Sequence, residues 1–506
     1  MPTTASKRMT APRSGVKVRM YRTGLGDCFL LAFPRKGTRP FYLLIDCGVY
    51  AGTPEPGNKT RIQEIVRDIR DATGGKLDLL VITHEHWDHV SAFHGTQARQ
   101  IFDQEIELEK LWMAWTENLT IPLARDLHEG RKAARAALAQ AFSRMQGLAA
   151  GGATPELVGK VLDFFGGTEE TQEGGESEGM GLLGAKKSVK TEDAMRWLRE
   201  TYGKDKTRFL HPCEPPLALD GVADVRVYVL GPPEDPDLIK RSDPTGHEVY
   251  PKAMAMAMES SFFAACGTMP GQESPSLPFD DTYEIKAGTA EKDSRFAGYF
   301  DKAEEWRKID GDWLEAAGEF ALQLDNATNN TSLALAIEIG PPGEGKVLLF
   351  PGDAQVGNWR SWFGKVKLGK KELGREMVWT VKDRKVTAED LLKRTVLYKV
   401  GHHGSHNATL REQGLELMGR TDGTAELVAF LPVDEHVARE RAHYGEMPLR
   451  SLVRELAIRT GGRIVRNDDG ATPKDKTSTL AIDDVPMLPV EKFAKKTDLY
   501  FEYTVS

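Results

Sequence analysis

The sequence predicts an α/β sandwich interrupted by large, mainly helical insertions. Three observations carry this reading. Alternating and continuous apolar runs, interspersed with amphipathic helix patterns, gather at the two ends of the chain. Several of these runs stop abruptly on polar, chemistry-bearing residues: KLDLLVI runs into THEHWDH, KVLLF into PGDA, and TVLYKV into GHHGSH. The middle of the chain is helical or Gly- and Glu-rich, with no repeat of fixed period. The organisation expected is a tail over residues 1–15 and one domain over 16–506, interrupted at 100–220 and again at 236–320.

The elements follow in order. VKVRMY alternates, GLGD turns, CFLLAF resumes, PRKGTRP turns again and FYLLIDCG closes a β meander. In RIQEIVRDIRDA the apolar residues Ile62, Ile65, Val66 and Ile69 recur at helical spacing, and Gly74 and Gly75 stop the helix. KLDLLVIT is nearly continuous and apolar, the pattern of a strand buried on both faces. Residues 100–165 are rich in strong helix formers. Residues 166–190 have few large apolar groups, and a flexible excursion is expected. Thr191 suits an N-cap for TEDAMRWLRE. DVRVYVLGPP reads as a strand stopped by proline, and a helix is expected near 301–321. SLALAIEIG and KVLLFPGDA form a hairpin. TVLYKVGHHGSH and ELVAFLPV are strands, PLRSLVRELAIRT a helix, and GRIVRND and DLYFEYTV closing strands.

Composition narrows the classes. A net charge of −8 argues against a protein that coats nucleic acid through a global basic field, although a local basic groove is compatible with it. KVKLGKKELGR and KDRKV are the nearest basic patches, and each reads first as a solvated helix or hairpin. No apolar run approaches the ~18 residues of a membrane span. The N-terminus has no apolar core of a signal peptide. The cysteines Cys28, Cys47, Cys213 and Cys266 show no CxxC spacing, so reduced thiols and a cytoplasmic location are expected.

The strongest chemical signal is His84-Glu85-His86-Trp87-Asp88-His89 after a buried strand. In an extended segment His84, His86 and Asp88 point the same way, and His89 turns in as a helix begins. Three imidazoles and a carboxylate suit zinc, which takes N and O ligands at about 2.0–2.2 Å. Four of the twelve histidines lie between His84 and His94, a density that points to metal rather than a solvated loop. The segment is not HExxH, because Asp88 stands where the second histidine belongs. Asp353, and His402, His403 and His406, follow two other apolar runs, so three strand ends can converge on one edge of a sandwich. A carboxylate at Asp353 could bridge two ions, as two-metal hydrolytic sites require.

Together these motifs resemble the metallo-β-lactamase fold, and most closely the hydrolase domain of the ComEC competence-protein family. GLGDCFLLAF with FYLLIDCG resembles that family's opening hairpin, THEHWDH its metal motif, NNTSLALAIEIG with LLFPGDA its Asn-Ser and Gly-Asp pair, and KVGHHGSH its HHGS strand. HYGEMPLRSLVREL with GRIVRNDDG resembles its closing segment, with Tyr444-Gly445-Glu446-Met447-Pro448 where the family has His before Pro, and His443 nearby. The order is preserved, over roughly 16–100, 225–235 and 325–470.

The resemblance implies a four-layer αββα sandwich and two divalent ions, zinc first and manganese as the harder alternative. It implies that His84, His86 and Asp353 hold one ion, and that Asp88, His89, Asp353 and either His402 or His403 hold the other. His403 is favoured as the ligand and His402 as the group facing substrate. Asp46 would orient the ligands from beneath. The family's further histidine is missing, so Asn329 or Asn330 stands in its slot. His94, His128, His211 and His247 could fill it only through the insertions, and read first as surface or capping residues.

The activity expected is hydrolysis by metal-bound hydroxide, with Asp88 orienting the water and His402 or His406 assisting the oxyanion or leaving group. Ser405 lacks a GxSxG context. A phosphodiesterase or nuclease is the first expectation. A small-molecule hydrolase of lactones, β-lactams or phosphoesters, with the insertion as a lid, is the second. A non-catalytic metal-bearing scaffold is the third. Nucleic acid or a small ester is the expected partner, and no membrane.

Overall fold

The computed structural model describes residues 8–37, 39–50, 61–95, 97–147, 153–166, 190–241, 285, 287–301, 312–364, 366–368, 371–419, 426–441, 447–468 and 487–506. The expected excursion at 166–190 and His247 fall almost wholly outside these residues, as do Cys266, His443 and Tyr444–Glu446.

The fold is mixed α/β, built on two large sheets. The first has eight strands in the order Lys495–Lys496, Tyr500–Val505, Val16–Tyr21, Cys28–Phe33, Phe41–Cys47, Lys76–Ile82, Glu107–Ala114, Thr207–Leu210. It begins antiparallel and turns parallel from Phe41–Cys47 onward. The second has six, in the order Ile464–Arg466, Val428–Leu431, Thr395–Lys399, Lys346–Phe350, Leu335–Ile339, Val225–Val229, parallel over the first four.

The strands are apolar on both faces because both are covered. Val18, Phe29, Leu31 and Ile45 of the first sheet share one core with Leu335, Leu348, Leu397 and Phe430 of the second. The ring of Phe29 lies 5.5 Å from that of Phe350. On the outer face of the first sheet, Ile65, Val66 and Ile69 of the helix Arg61–Thr73 pack with Leu30, Leu44 and Leu80. On the outer face of the second, the helices Ala388–Lys393 and Arg450–Thr460 pack with Leu349, Tyr398 and Ala429. Parallel strands aligned this way bring their C-terminal ends to one edge, where open α/β sheets carry their sites.

Two expectations need correction. The stretch 100–220 is not wholly an insertion, since Glu107–Ala114 and Thr207–Leu210 are strands of the first sheet. ELEKLWMA is exposed at Glu107, Glu109 and Lys110, so its apolar face is short and its neighbours' helix propensity masks it. The tail expected over 1–15 as disordered is anchored at Met9, which is buried, donates its N–H to the Ala72 carbonyl and accepts at its own carbonyl from Tyr42 Oη at 2.6 Å. Residues 1–7 lie outside the described set.

The helices Pro122–Gly147, Ala153–Phe164 and Asp312–Asn329 come from both interruptions and share their own core, including Leu138, Val158, Val161, Phe165, Ala321 and Leu324. The basic patches form the hairpins Val366–Leu368 with Lys371–Leu373 and Val378–Val381 with Arg384–Thr387. Trp112 and Trp115 are core residues. Cys28 and Cys47 are buried free thiols with Sγ atoms 3.6 Å apart, and Cys213 is free and half-buried. Among the described residues no helix is long and apolar enough to cross a membrane.

Candidate metal centre

Four strand ends meet at one place. Asp46 closes Phe41–Cys47, His84 to His89 follow Lys76–Ile82, Asp353 follows Lys346–Phe350, and His402 and His403 follow Thr395–Lys399. Glycine allows the close approach. A Cβ on Gly48 would stand 2.1 Å from the carbonyl carbon of Asp88, and one on Gly26, at φ +133°, 2.7 Å from its oxygen. The Asp27 N–H donates to that same oxygen at 2.9 Å. The GLGD and DCG turns therefore seat the backbone of the His84–His89 segment.

Asp88, His89, Asp353 and His403 form a buried group whose ligand atoms all lie within 4.8 Å of one another, a set able to hold a metal ion. His403 Nε2 is 2.7 Å from Asp88 Oδ2, and His89 Nε2 is 3.1 Å from Asp353 Oδ2. The other nitrogen of each ring is tied back. His403 Nδ1 donates to the Pro432 carbonyl at 3.0 Å, and His89 Nδ1 donates to Asp46 Oδ2 at 2.8 Å. Asp46 also accepts from the Thr83 N–H and hydroxyl at 2.8 and 2.6 Å, so it orients the strand end and the histidine together.

Asp353 is divided. Its Oδ1 accepts from Lys399 Nζ at 2.9 Å and from the His402 N–H at 3.0 Å, which leaves Oδ2 facing the histidines. Lys399 also bridges to Asp27 at 2.5 Å. Asp27 and Lys399 lie inside the quoted motifs, yet the sequence reading assigned them no role.

His84 and His86 lie beside this group, with ring centroids 4.7 Å apart, and His84 is 4.2 Å from His89. The Nε2 atoms of both, and Asp88 Oδ1, are buried with no hydrogen-bond partner. Buried polar atoms are almost always paired, so a cluster of orphans on ligand-type atoms fits a cation there. Asp325, which the sequence reading missed, enters from the helix Asp312–Asn329 with Oδ1 3.8 Å from His86 Nε2 and likewise without a partner.

Asn330 is not free for the role expected of it, because its Oδ1 accepts from the N–H groups of Gln355 and Asn358. Asn329 Nδ2 donates to Asp325 Oδ2 at 3.1 Å, and its Oδ1 is buried with no hydrogen-bond partner. His406 is exposed, whereas His402 and Ser405 beside it are buried, so His406 is outside the cluster. His402 Nδ1 contacts Ser405 Oγ at 2.9 Å and Gln355 Nε2 at 3.3 Å. His402 and His403 take φ of +41° and +52°, a conformation that costs non-glycine residues roughly 1–3 kcal/mol each and clusters at functional sites. Of the remaining histidines, His94 packs on Trp87, His211 pairs with Glu234, and His128 lies on the helix Pro122–Gly147; none joins the group.

Burial and charge set the protonation. Burial opposes a charge on His89, but Asp353, Asp27, Asp88 and Asp46 outweigh it and hold its pKa well above the usual value. His403 is raised against burial by its bond to Asp88 and by Asp353. Burial, with neighbouring histidines, drives His84 well below the imidazole range and takes His86 to about 4 and His402 to about 3. Burial, then Asp353 and Asp88, pushes Asp325 up to about 8.

The centre is covered. The Phe164 and Phe165 rings lie 5.3 and 5.0 Å from His86, and Phe164 also reaches Tyr50 and His402. Glu85, between the two histidines, accepts from Arg131 Nε at 2.9 Å and Arg135 NH1 at 2.8 Å, both on the covering helix Pro122–Gly147. Arg131 and Arg199 both donate to Glu117, extending the network.

Fold and site thus define an α/β protein with a buried His/Asp group able to hold metal. Compared with known proteins, the sequence matches no family model and no curated protein.

Proposed function

We propose that the protein is a metal-dependent hydrolase of the four-layer αββα metallo-β-lactamase type, acting on phosphodiesters. The observation that carries this is the convergence of Asp88, His89, Asp353 and His403, from three separate strand ends, on one buried group. Two face-packed sheets with helices on both outer sides support the fold reading. Asp88, His89, His403 and Oδ2 of Asp353 would hold one ion, and His84 and His86 a second.

Bound ions would supply Lewis acidity and a water whose pKa falls toward about 7. The chain's own groups do the rest. Lys399 neutralises Asp353 and fixes which oxygen faces the histidines. Asp46 keeps the His89 ring turned so that Nε2 points inward. His402, neutral and held through Nδ1, offers Nε2 to a substrate oxygen as a hydrogen-bond partner rather than as a charge. Asp88 keeps Oδ1 available to orient the attacking water.

The cover favours a second reading, hydrolysis of a small molecule. His84, His86, Asp88, His89, Asp353 and His403 are each at most 1% exposed beneath Phe164 and Phe165. A polymer reaches them only if the covering helices move. The test is hydrolysis of bis(p-nitrophenyl) phosphate and of labelled single-stranded DNA, with metal content measured on the same sample. Turnover that needs added metal and is lost in Asp88→Ala and His403→Ala supports the phosphodiesterase. Two bound ions with neither substrate cleaved sinks it and leaves lactones and small phosphoesters. DNA cleavage at a rate matching the small ester sinks the small-molecule reading.

A further inference from the structure

We infer that Asp325 is a protein ligand of the ion shared by His84 and His86, so that the metal centre is completed by the inserted helices rather than by the sandwich alone. The inference rests on the metal-dependent reading above, and it names a ligand that reading leaves open.

The geometry is specific. Asp325 lies on the last full turn but one of the helix Asp312–Asn329, whose Phe320, Ala321 and Leu324 pack into the core of the covering helices. This packing aims Asp325 at the strand ends of the sandwich. Asn329, one turn on, donates to Oδ2 at 3.1 Å and fixes the carboxylate plane. Oδ1 is left buried, partnerless and 3.8 Å from His86 Nε2, which is itself buried and partnerless.

That distance discriminates between two accounts. A hydrogen bond from imidazole to carboxylate would bring the atoms to about 2.7–3.2 Å. Two ligands each about 2.1 Å from one ion stand roughly 3–4 Å apart instead. A purely structural pair would have closed into the hydrogen bond, since neither atom has another use. His84 Nε2 presents a third orphan on the same side of the extended segment; the three atoms do not all lie within 4.8 Å of one another as those of the first group do, so a shared ion would draw them together. Asn329, with its nitrogen bonded to Asp325, is a positioning residue that acts through the carboxylate.

The donor set has a chemical consequence. Two imidazoles and a carboxylate form a harder site than three imidazoles, and such sites favour manganese or iron relative to zinc. A second consequence is architectural: opening the cover would withdraw a ligand, linking access to metal occupancy.

The test uses the full chain stripped with a chelator and titrated separately with Mn2+ and Zn2+, scoring stoichiometry and affinity without reference to turnover. The wild type is expected to take two ions. Asp325→Asn, close to isosteric and free of the buried charge, is expected to weaken one of them by at least about tenfold. His84→Ala should weaken the same ion, and the double variant no other. Asp325→His should restore the second ion and shift its preference toward zinc. Two ions bound by Asp325→Asn with unchanged affinity would overturn the assignment. If the wild type takes one ion, the two-ion reading fails while this inference is still decided: loss of that ion in both Asp325→Asn and His84→Ala sustains it, and retention in Asp325→Asn overturns it. A wild type that takes none overturns both.

Discussion

His403 Nε2 lies 2.7 Å from Asp88 Oδ2, across 315 positions of sequence and from one sheet to the other. Each is the other's closest partner in the buried group, and each is a candidate ligand for the same ion. Against burial, the bond to Asp88 and the nearby Asp353 raise the pKa of His403.

A pH dependence of metal binding follows. His89 and His403 are both raised above the ordinary imidazole pKa by surrounding carboxylates that outweigh burial, so both hold a second ring proton to higher pH than a free imidazole. Ligation needs them neutral, so binding must expel those protons. Metal affinity is therefore expected to rise with pH through neutrality. Isothermal titration in buffers of different ionisation enthalpy should report net proton release, and a heat independent of buffer would contradict it.

Lys399 is clamped between Asp27 and Asp353 at 2.5 and 2.9 Å and is buried. Lys399→Met leaves two buried carboxylates without their counter-charge. Removing one partner of a buried pair costs about 3–5 kcal/mol. Urea unfolding of the metal-free protein should show a loss of this order, with part recovered in the Asp27→Asn/Lys399→Met double variant.

Glu85 gives stability its own acid limb. Burial raises its pKa, but Arg131 and Arg135 outweigh burial and hold it at about 2. Unfolded, it titrates near the ordinary value of about 4.3. Its contribution is thus complete above that value and is lost as pH falls toward 2. Glu85→Gln should be less stable by about 3 kcal/mol at neutral pH, because Arg131 and Arg135 lose their shared carboxylate and keep only Glu117 and Glu192. Its stability should also fall less steeply between pH 5 and 2, as followed by circular dichroism.

Phe164 and Phe165 separate the centre from solvent. Phe165→Ala, at a fully buried position, should cost about 3–5 kcal/mol, while Phe164→Ala thins the cover over His86 and His402. With either variant, kcat/KM for a bulky phosphodiester should rise relative to a small one. An unchanged ratio would mean that the cover does not select substrates.

The residues of the sandwich core and the compact His/Asp group were largely legible, because each ligand directly follows a short apolar strand and the motif is local in sequence. Asp325 was not. Its helix reads as an ordinary amphipathic segment, no motif marks it, and its partner His86 is brought to it only by tertiary packing. Asn329 drew attention because it sits in the recognisable Asn-Ser segment, and its amide nitrogen holds Asp325 one helical turn back. The strand Glu107–Ala114 hid among helix formers. Met9 was overlooked because a single docking residue leaves no periodic signal.

The strand Tyr500–Val505 lies inside the first sheet, paired in register with Val16–Tyr21 from Val16↔Val505 to Tyr21↔Tyr500. A growing chain therefore presents one edge of its first meander unpaired until almost five hundred residues have been translated. At about 5–20 residues per second this delay is roughly half a minute to a minute and a half. Through that interval an apolar β edge is open to any other strand. The segment that closes this edge against self-association is thus made long after the edge itself.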